Sequence, residues 1–437
     1  MSGKHGKQKK WSAESVQSVL AHIQSFPKVD SHYCRKESSR EFLDQSLSIS
    51  EMYRLYVERC KRDGNADIVS SDKYNRIFTE NFNLSFFRPK KDRCDECVAF
   101  ENIVAPNEDQ KRTYAKHLKS EEKAREMKTE AKEKSKRDRE FGAMCFDMQQ
   151  LLPCPKSNSS TFYYKRKLYV HNLTMYDLGT AEVRCFMWPE FEARRGASEV
   201  ATCLAKFIEE KSKGGCRDLS LFSDNCPGQN RNRFVAFMFC ETNKRVQLDK
   251  LSLTFLQKGH TENENDSVHS VIEKSTKHAV IYSPEQWYAA VRTARKSKAP
   301  YYVEEMTHSQ FVDYKTMSQQ VKNFNVDDEG DKVKWSNVRE FTVYGNDAQA
   351  LYITYKYGGT QKRVDLQRRQ RSSGGNSHAT VTEMSELLYV TSQCGISKLK
   401  KEDLISLCQA GLVPVAYHSF YKSLPLCSAD NEGSDED

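Results

Sequence analysis

Residues 141–310 predict an α/β fold on a mixed sheet, and three observations carry that prediction. First come three strand-like apolar runs, FGAMCFDMQQLL, TFYYKRKLYVHNLTMYD and AEVRCFMW. Helix-like and strand-like runs then alternate as ASEVATCLAKFIEEKSK, LSLFSD, NRFVAFMFCETN, KLSLTFLQ and NENDSVHSVIEKSTKH. In the second strand-like run, aromatic and polar residues alternate as they do in a half-buried strand, so its rings belong to the core and not to a base-stacking platform. Strands joined by short connections pair antiparallel, whereas strands separated by a helix add in parallel. Three hairpin-linked strands followed by helix, strand, helix, strand and helix is the order of an RNase H-like core, with a mixed five-stranded sheet and flanking helices.

The segments around this core divide as follows. Residues 1–30 form a basic tail with a short amphipathic helix from Ala13 to Phe26. Residues 31–104 read as a small, mainly helical module, with EFLDQSLSISEMYRLYVERC and SDKYNRIFTENF as its helical stretches. Residues 105–140 are rich in Lys, Glu and Ala, and pairs of opposite charge four residues apart support a solvated helix. Its apolar positions are too sparse for sustained heptads, so a spacer helix is expected. Residues 311–427 add a β segment, REFTVYGNDAQALYITYKYGG, a basic Ser/Gly-rich tract and a short helix, and residues 428–437 are an acidic tail.

The chain has 437 residues, 38% hydrophobic and 29% charged, which suits a soluble globular protein of two or three domains. No apolar run approaches the ~20 residues of a spanning helix. The basic start, MSGKHGKQKKW, leads into no apolar stretch, so neither a membrane partner nor secretion is expected. The 14 cysteines are scattered, and Cys145, Cys185, Cys203 and Cys240 lie in apolar runs as small hydrophobes. A reduced, intracellular chain, nuclear or cytoplasmic, follows. The net charge of +8 favours anionic partners without specifying nucleic acid.

Cys94-Asp95-Glu96-Cys97 is a C-x-x-C motif outside any βαβ setting, which favours metal binding over redox chemistry. His32 and Cys34 upstream would complete a structural zinc site with Cys94 and Cys97, and Cys60 is a spare ligand.

A second metal centre is expected from carboxylates. Nucleases and transposases with an RNase H-like core need acids on the first strand, at the end of the fourth and on a later helix, to hold two Mg²⁺ (or Mn²⁺) ions. Asp147 is the lone acid in FGAMCFDMQQ, and Asp224 ends LSLFSD. Asp266, His269 and Glu273 share one helix face, with Glu264 a close rival to Asp266 for the third acid. Asp147 could instead pair with an internal arginine, and Asp224 could cap the next helix. Asp177 is a rival first acid, read here as facing a turn. His269 and His260 are expected to support the acids or the leaving group. Lys362, Arg363, Arg368, Arg369 and Arg371 suit phosphate contact or nuclear import, or form a solvated loop; Arg194 and Arg195 are further candidates for backbone phosphate.

HYCRKESSREFLD, FNLSFFRPKKDRCDEC, FDMQQLLP, HNLTMYDLG, LFSDNCPGQNRNR and GHTENENDSVHSVIEK resemble a multicopy animal family of domains of unknown function, held to be transposon-derived. The resemblance covers most of residues 31–310. Its most specific mark is SDNCPGQN, joined by Gly259, His260, Thr261, Glu264 and Asp266 in a G-H-T-x-x-[DE]-x-D pattern. It implies an RNase H-like (transposase-like) core, an N-terminal zinc-binding module and an ancestor that cut DNA. The expected function is therefore a transposase-derived nuclease or DNA strand-transfer protein, with a homo-oligomer allowed. The alternatives are a catalytically silent domesticated DNA- or chromatin-binding protein and a zinc-stabilised interaction scaffold.

Overall fold

A computed structural model of the chain describes residues 11–26, 28–29, 41–43, 47–65, 67–86, 94–157, 161–162, 165–296, 299–367 and 387–427. Two compact units result, Met1–Arg93 and Cys94–Asp437. The first contains α1 (Ala13–Gln24), β1 (Lys28–Val29), β2 (Glu41–Leu43), α2 (Ile49–Arg62), α3 (Ser71–Asn81) and β3 (Leu84–Phe86). Ser12, Ser48 and Ser70 cap its three helices by accepting backbone N–H groups with their hydroxyls. The amphipathic helix expected in the basic tail is α1, and it is part of this unit's core: Val19 and Ile23 pack with Met52, Tyr56, Tyr74 and Phe78. The module is thus mainly helical, with a three-stranded sheet.

The second unit runs α4 (Asp95–Glu101), α5 (Glu108–Arg137), β4 (Phe141–Met148), β5 (Leu152–Cys154), β6 (Leu168–Asp177), β7 (Val183–Pro189), α6 (Ala197–Lys213), β8 (Asp218–Ser223), α7 (Arg233–Val246), β9 (Lys250–Phe255), α8 (Glu264–Thr276) and α9 (Pro284–Arg292). It continues with β10 (Tyr302–Glu305), α10 (Tyr314–Met317), β11 (Glu340–Tyr344), β12 (Ala350–Thr354), β13 (Lys362–Asp365), α11 (Lys398–Gln409) and α12 (His418–Ser423). The three strands and the alternating helices and strands expected over 141–278 all form. They assemble in the order β7-β6-β4-β8-β9. β4 pairs antiparallel with β6 and parallel with β8, and β8 is parallel to β9.

The sheet is mixed but larger than the five strands expected. β10 adds parallel to β7 at one edge, while β11, β12 and β13 add antiparallel beyond β9, and β5 pairs with β6, making ten. Residues beyond 310 therefore belong to the core, because Phe341, Val343, Leu351 and Ile353 complete its largest apolar cluster.

Strand alternation decides which face each residue meets. Met144, Phe146 and Met148 of β4 face α6 and α7, with Leu204, Ile208, Val235 and Phe239 among their neighbours. Ala143 and Cys145 face the other way, where Ala124 of α5 packs with Phe222 and Leu256. Toward β6 and β7 the same layer is filled by α8, α9, α11 and α12.

The charged helix α5, 30 residues long, is not a free spacer. Ala124, Met127 and Ala131 lie on one face at helical spacing, and that thin stripe packs on the sheet. Among the described residues, no helix is long and apolar enough to cross a membrane.

Candidate functional site

Asp147 occupies the odd-numbered face of β4, opposite Thr174 in the β6 register. The α8 helix is stitched to the same stretch of strand. Its capping residue Asn263 donates from Nδ2 to the Phe146 carbonyl at 3.3 Å, and Asn265 lies 3.6 Å from the Cys145 sulfur. This seating brings Asp266 and His269, one turn apart on α8, up to Asp147, so that one ligand atom from each lies within 4.8 Å of the others. The Nε2 of His269 is 3.0 Å from the Thr174 hydroxyl, and burial lowers the ring's pKa to about 4, so it is neutral at physiological pH.

Asp224 follows the last residue of β8, the strand parallel to β4. Its carboxylate accepts from Asn230 Nδ2 at 2.5 Å and from the Cys226 backbone N–H at 3.3 Å, which orients it on the loop entering α7. Burial, then the charges of Asp224 and Asp266, raise the Asp147 pKa to about 7. A buried carboxyl beside two further acids favours its protonated form unless positive charge stands near it. Arg195 supplies part of that charge: its guanidinium donates to the Met148 and Gln149 carbonyls at 3.4 and 3.2 Å and partly offsets the rise at Asp147.

Glu264 turns elsewhere. Lys128 and Lys132 of α5 grip it at 2.5 and 3.2 Å, and Lys128 also donates to the Glu262 carbonyl at 2.7 Å. Burial alone would raise the Glu264 carboxyl, but the two ammonium groups outweigh it and hold it below the usual range. It is Asp266 that stands beside Asp147. Asp177 ends β6 and accepts the N–H groups of Gly179 and Thr180 and the Lys211 ammonium, a turn-closing role.

The Cys/His residues form a separate constellation wholly within the second unit. Cys94 caps α4 and Cys97 lies in its first turn. His117 projects from α5 with its Nε2 3.4 Å from the Cys94 sulfur and 3.3 Å from that of Cys97. His260, in the loop before α8, places Nε2 3.3 Å from the Cys97 sulfur. One ligand atom from each of the four lies within 4.8 Å of the others, so the group could hold a metal ion. Burial pushes the Cys97 thiol up to about 11, with Cys94 adding to the rise. Gly259 makes the approach of this loop feasible: its φ is +77°, and a Cβ there would lie 2.4 Å from the Cys94 nitrogen.

Cys94 and Cys97 come together with His117 and His260, while His32 and Cys34 lie outside the described residues. The spare Cys60 is buried in the core of the first unit. His260 belongs with the cysteines and not with the carboxylates. His117 was not singled out from the sequence; its one signal is a histidine inside a charged helix 20 residues after a C-x-x-C.

The expected phosphate-binding residues divide similarly. Lys362 and Arg363 lie on β13 and are spent in ion pairs. Lys362 meets Asp327, Glu329 and Asp331 at 3.1, 2.9 and 2.7 Å, and Arg363 meets Asp328 and Asp347 at 2.8 Å each. The acidic group at 327–331 therefore carries its own counter-charge. Arg194 is exposed, Arg195 is tied to the strand end beside Asp147, and Arg368, Arg369 and Arg371 lie outside the described residues.

Residues 166–356 match the model of a domain of unknown function, DUF7869. That span holds Asp224, His260, Asp266 and His269 but neither Asp147 nor the Cys94–Cys97 pair, and it reaches past 310 to take in β11 and β12. No curated protein and no solved structure matches the chain.

Proposed function

We propose that the second unit is a divalent-metal-dependent nuclease or DNA strand-transfer core of RNase H-like design and transposase descent. The observation that carries this reading is Asp147 beside Asp266, with Asp224 near enough for its charge to act on Asp147. They come from three separate segments, and the Asp147 proton is held to about pH 7 by burial and by the other two charges. Such a cluster is poorly suited to stand without cations and well suited to receive them. The strand order β7-β6-β4-β8-β9, with its mixed directions, supports the same reading. An RNase H-like core carries its acids on the first strand, after the fourth and on a later helix, as Asp147, Asp224 and Asp266 do.

With Mg²⁺ or Mn²⁺ bound by these carboxylates, the ions would activate a water and stabilise the leaving oxygen of a phosphodiester. The chain's own residues prepare that chemistry. Asn230 and the Cys226 N–H fix the Asp224 carboxylate, and Asn263 seats α8 on β4 so that Asp266 faces Asp147. His269, neutral and held by Thr174, keeps an uncharged nitrogen beside the acids. DNA as the partner, and a nuclear setting, go with the net charge of +8.

The test is cleavage of labelled single-stranded, hairpin and duplex DNA with Mg²⁺ or Mn²⁺, wild type beside Asp224→Asn. Cleavage by the wild type and its loss in the variant is the expected result. If neither protein cuts, while both bind DNA equally and with strong salt dependence, a catalytically silent DNA- or chromatin-binding protein replaces this reading. Absence of DNA binding at low salt would replace it with an interaction scaffold.

A further inference from the structure

We infer that Cys94, Cys97, His117 and His260 hold one zinc ion, and that this ion pins the entry of α8 to α5. The site is distinct from the acidic centre and is tested without any reference to cleavage. Two thiols and two imidazoles are the ligand chemistry of a closed tetrahedral zinc site and not of Mg²⁺ or Ca²⁺. Zn–S and Zn–N bonds of about 2.3 and 2.0–2.1 Å at a tetrahedral angle separate sulfur from nitrogen by about 3.5 Å. The observed separations are 3.4 Å for Cys94–His117, 3.3 Å for Cys97–His117 and 3.3 Å for Cys97–His260.

The far side of each ring is also provided for. His117 Nδ1 lies 2.9 Å from the Glu96 carboxylate, and His260 Nδ1 lies 3.8 Å from that of Glu121. The carboxylate behind His117 favours the tautomer that turns Nε2 toward the thiols and makes it a better donor to a metal, and Glu121 adds negative charge behind His260.

The position of the ion gives it a consequence. His260 is 163 residues from Cys97 and enters from the loop that leads into α8. About three and four turns further along α5 than His117, Lys128 and Lys132 grip Glu264 at the first position of α8. The segment 257–264 is therefore held to α5 at two stations, zinc at one end and the lysine pair at the other. Asp266 lies just beyond.

The experiment is elemental analysis of the full chain, expressed with zinc in the medium and exchanged into Mg²⁺ buffer, followed by hydrogen exchange. One zinc per chain is expected in the wild type and in Asp224→Asn. Zinc should be lost from Cys97→Ser and from His260→Ala and retained in the His32→Ala/Cys34→Ser double variant. Glu96→Gln should retain the ion with an affinity lowered about 10- to 100-fold. In His260→Ala, exchange should rise over residues 257–266 and stay unchanged in β4 and β8. A cobalt-substituted wild type, which needs no variant to fold, should show the charge-transfer absorption of two thiolates in a tetrahedral field. A chain that carries iron or no metal, a cobalt spectrum without thiolate bands, or zinc that is lost with His32 and Cys34 and kept in His260→Ala would overturn the assignment. Unchanged exchange over 257–266 in zinc-free His260→Ala would overturn the pinning.

Discussion

Asp147 binds its proton more tightly in the folded chain than in the unfolded one, because burial and the charges of Asp224 and Asp266 all oppose ionisation. Between the ordinary carboxylate value of 3.8 and about 7, the folded state holds the extra proton. Stability in the absence of metal therefore falls as pH rises through that window. Replacing the group by an uncharged isostere removes the loss, so Asp147→Asn is expected to melt several degrees higher than wild type at pH 8 without metal. At pH 4 the two should nearly coincide. Differential scanning calorimetry checks this, and a lower melting point at pH 8 would contradict it. His171 has the opposite sign. Burial, then Arg195 and Lys400, lower its pKa from 6.5 to about 3, so the unfolded chain takes up a proton that the folded chain refuses. The stability it contributes is present above pH 6.5 and is lost as pH falls toward 3. Its Nδ1 has no partner among the described residues, and its ring lies 5.5 Å from that of Trp188. His171→Phe should therefore be close to wild type at pH 7 and lose less stability by pH 4.5, as urea unfolding at the two values would show.

At the scale of elements, α5 is where the sequence misleads. Its stripe of Ala124, Met127 and Ala131 is diluted by charged residues, and one of those, Lys128, is itself buried with its ammonium on Glu264 and the Glu262 carbonyl. A lysine that snorkels inward is indistinguishable in the sequence from one that points to solvent. Removing its charge leaves a partly buried Glu264 with Lys132 alone, which costs about 1–2 kcal/mol, between the values for exposed and fully buried pairs. Lys128→Met is expected to lose stability of that order, with most of the loss cancelled in the Lys128→Met/Glu264→Gln double variant. Additive losses in urea unfolding would contradict the pairing. The strands and crossover helices from 141 to 278 were legible because each is long, apolar and periodic. β11 and β12 were legible as the β segment at 339–359, though not as part of the core sheet. β10 and β13 were not, since short edge strands carry little periodic signal and depend on β7 and β12 for a partner. Asp147, Asp224 and Asp266 could be picked out as acids in suspect positions. Choosing Asp266 over Glu264 needed α5, which supplies the lysines that claim Glu264. His117 and His260 were hidden by distance along the chain: no local spacing joins residues that only the tertiary fold brings to Cys97.

For the molecule as a whole, two constellations that could hold metal ions lie on either side of one helix entry. The loop before α8 gives His260 to the Cys/His group, and α8 gives Asp266 and His269 to the carboxylates. The expected basic strip at Lys362 and Arg363 is already neutralised by acids of its own unit, which leaves the carboxylate centre as the feature on which the proposed function stands. The measurement that tests it most directly is Mn²⁺ binding to the full chain, by calorimetry at pH 8, for wild type, Asp147→Asn, Asp224→Asn, Asp266→Asn and Glu264→Gln. The expected result is binding by the wild type that each aspartate variant weakens at least about tenfold, an effect of about 1.4 kcal/mol or more, with Glu264→Gln close to wild type. No Mn²⁺ binding by the wild type, or binding that none of the three aspartate variants weakens, would contradict it.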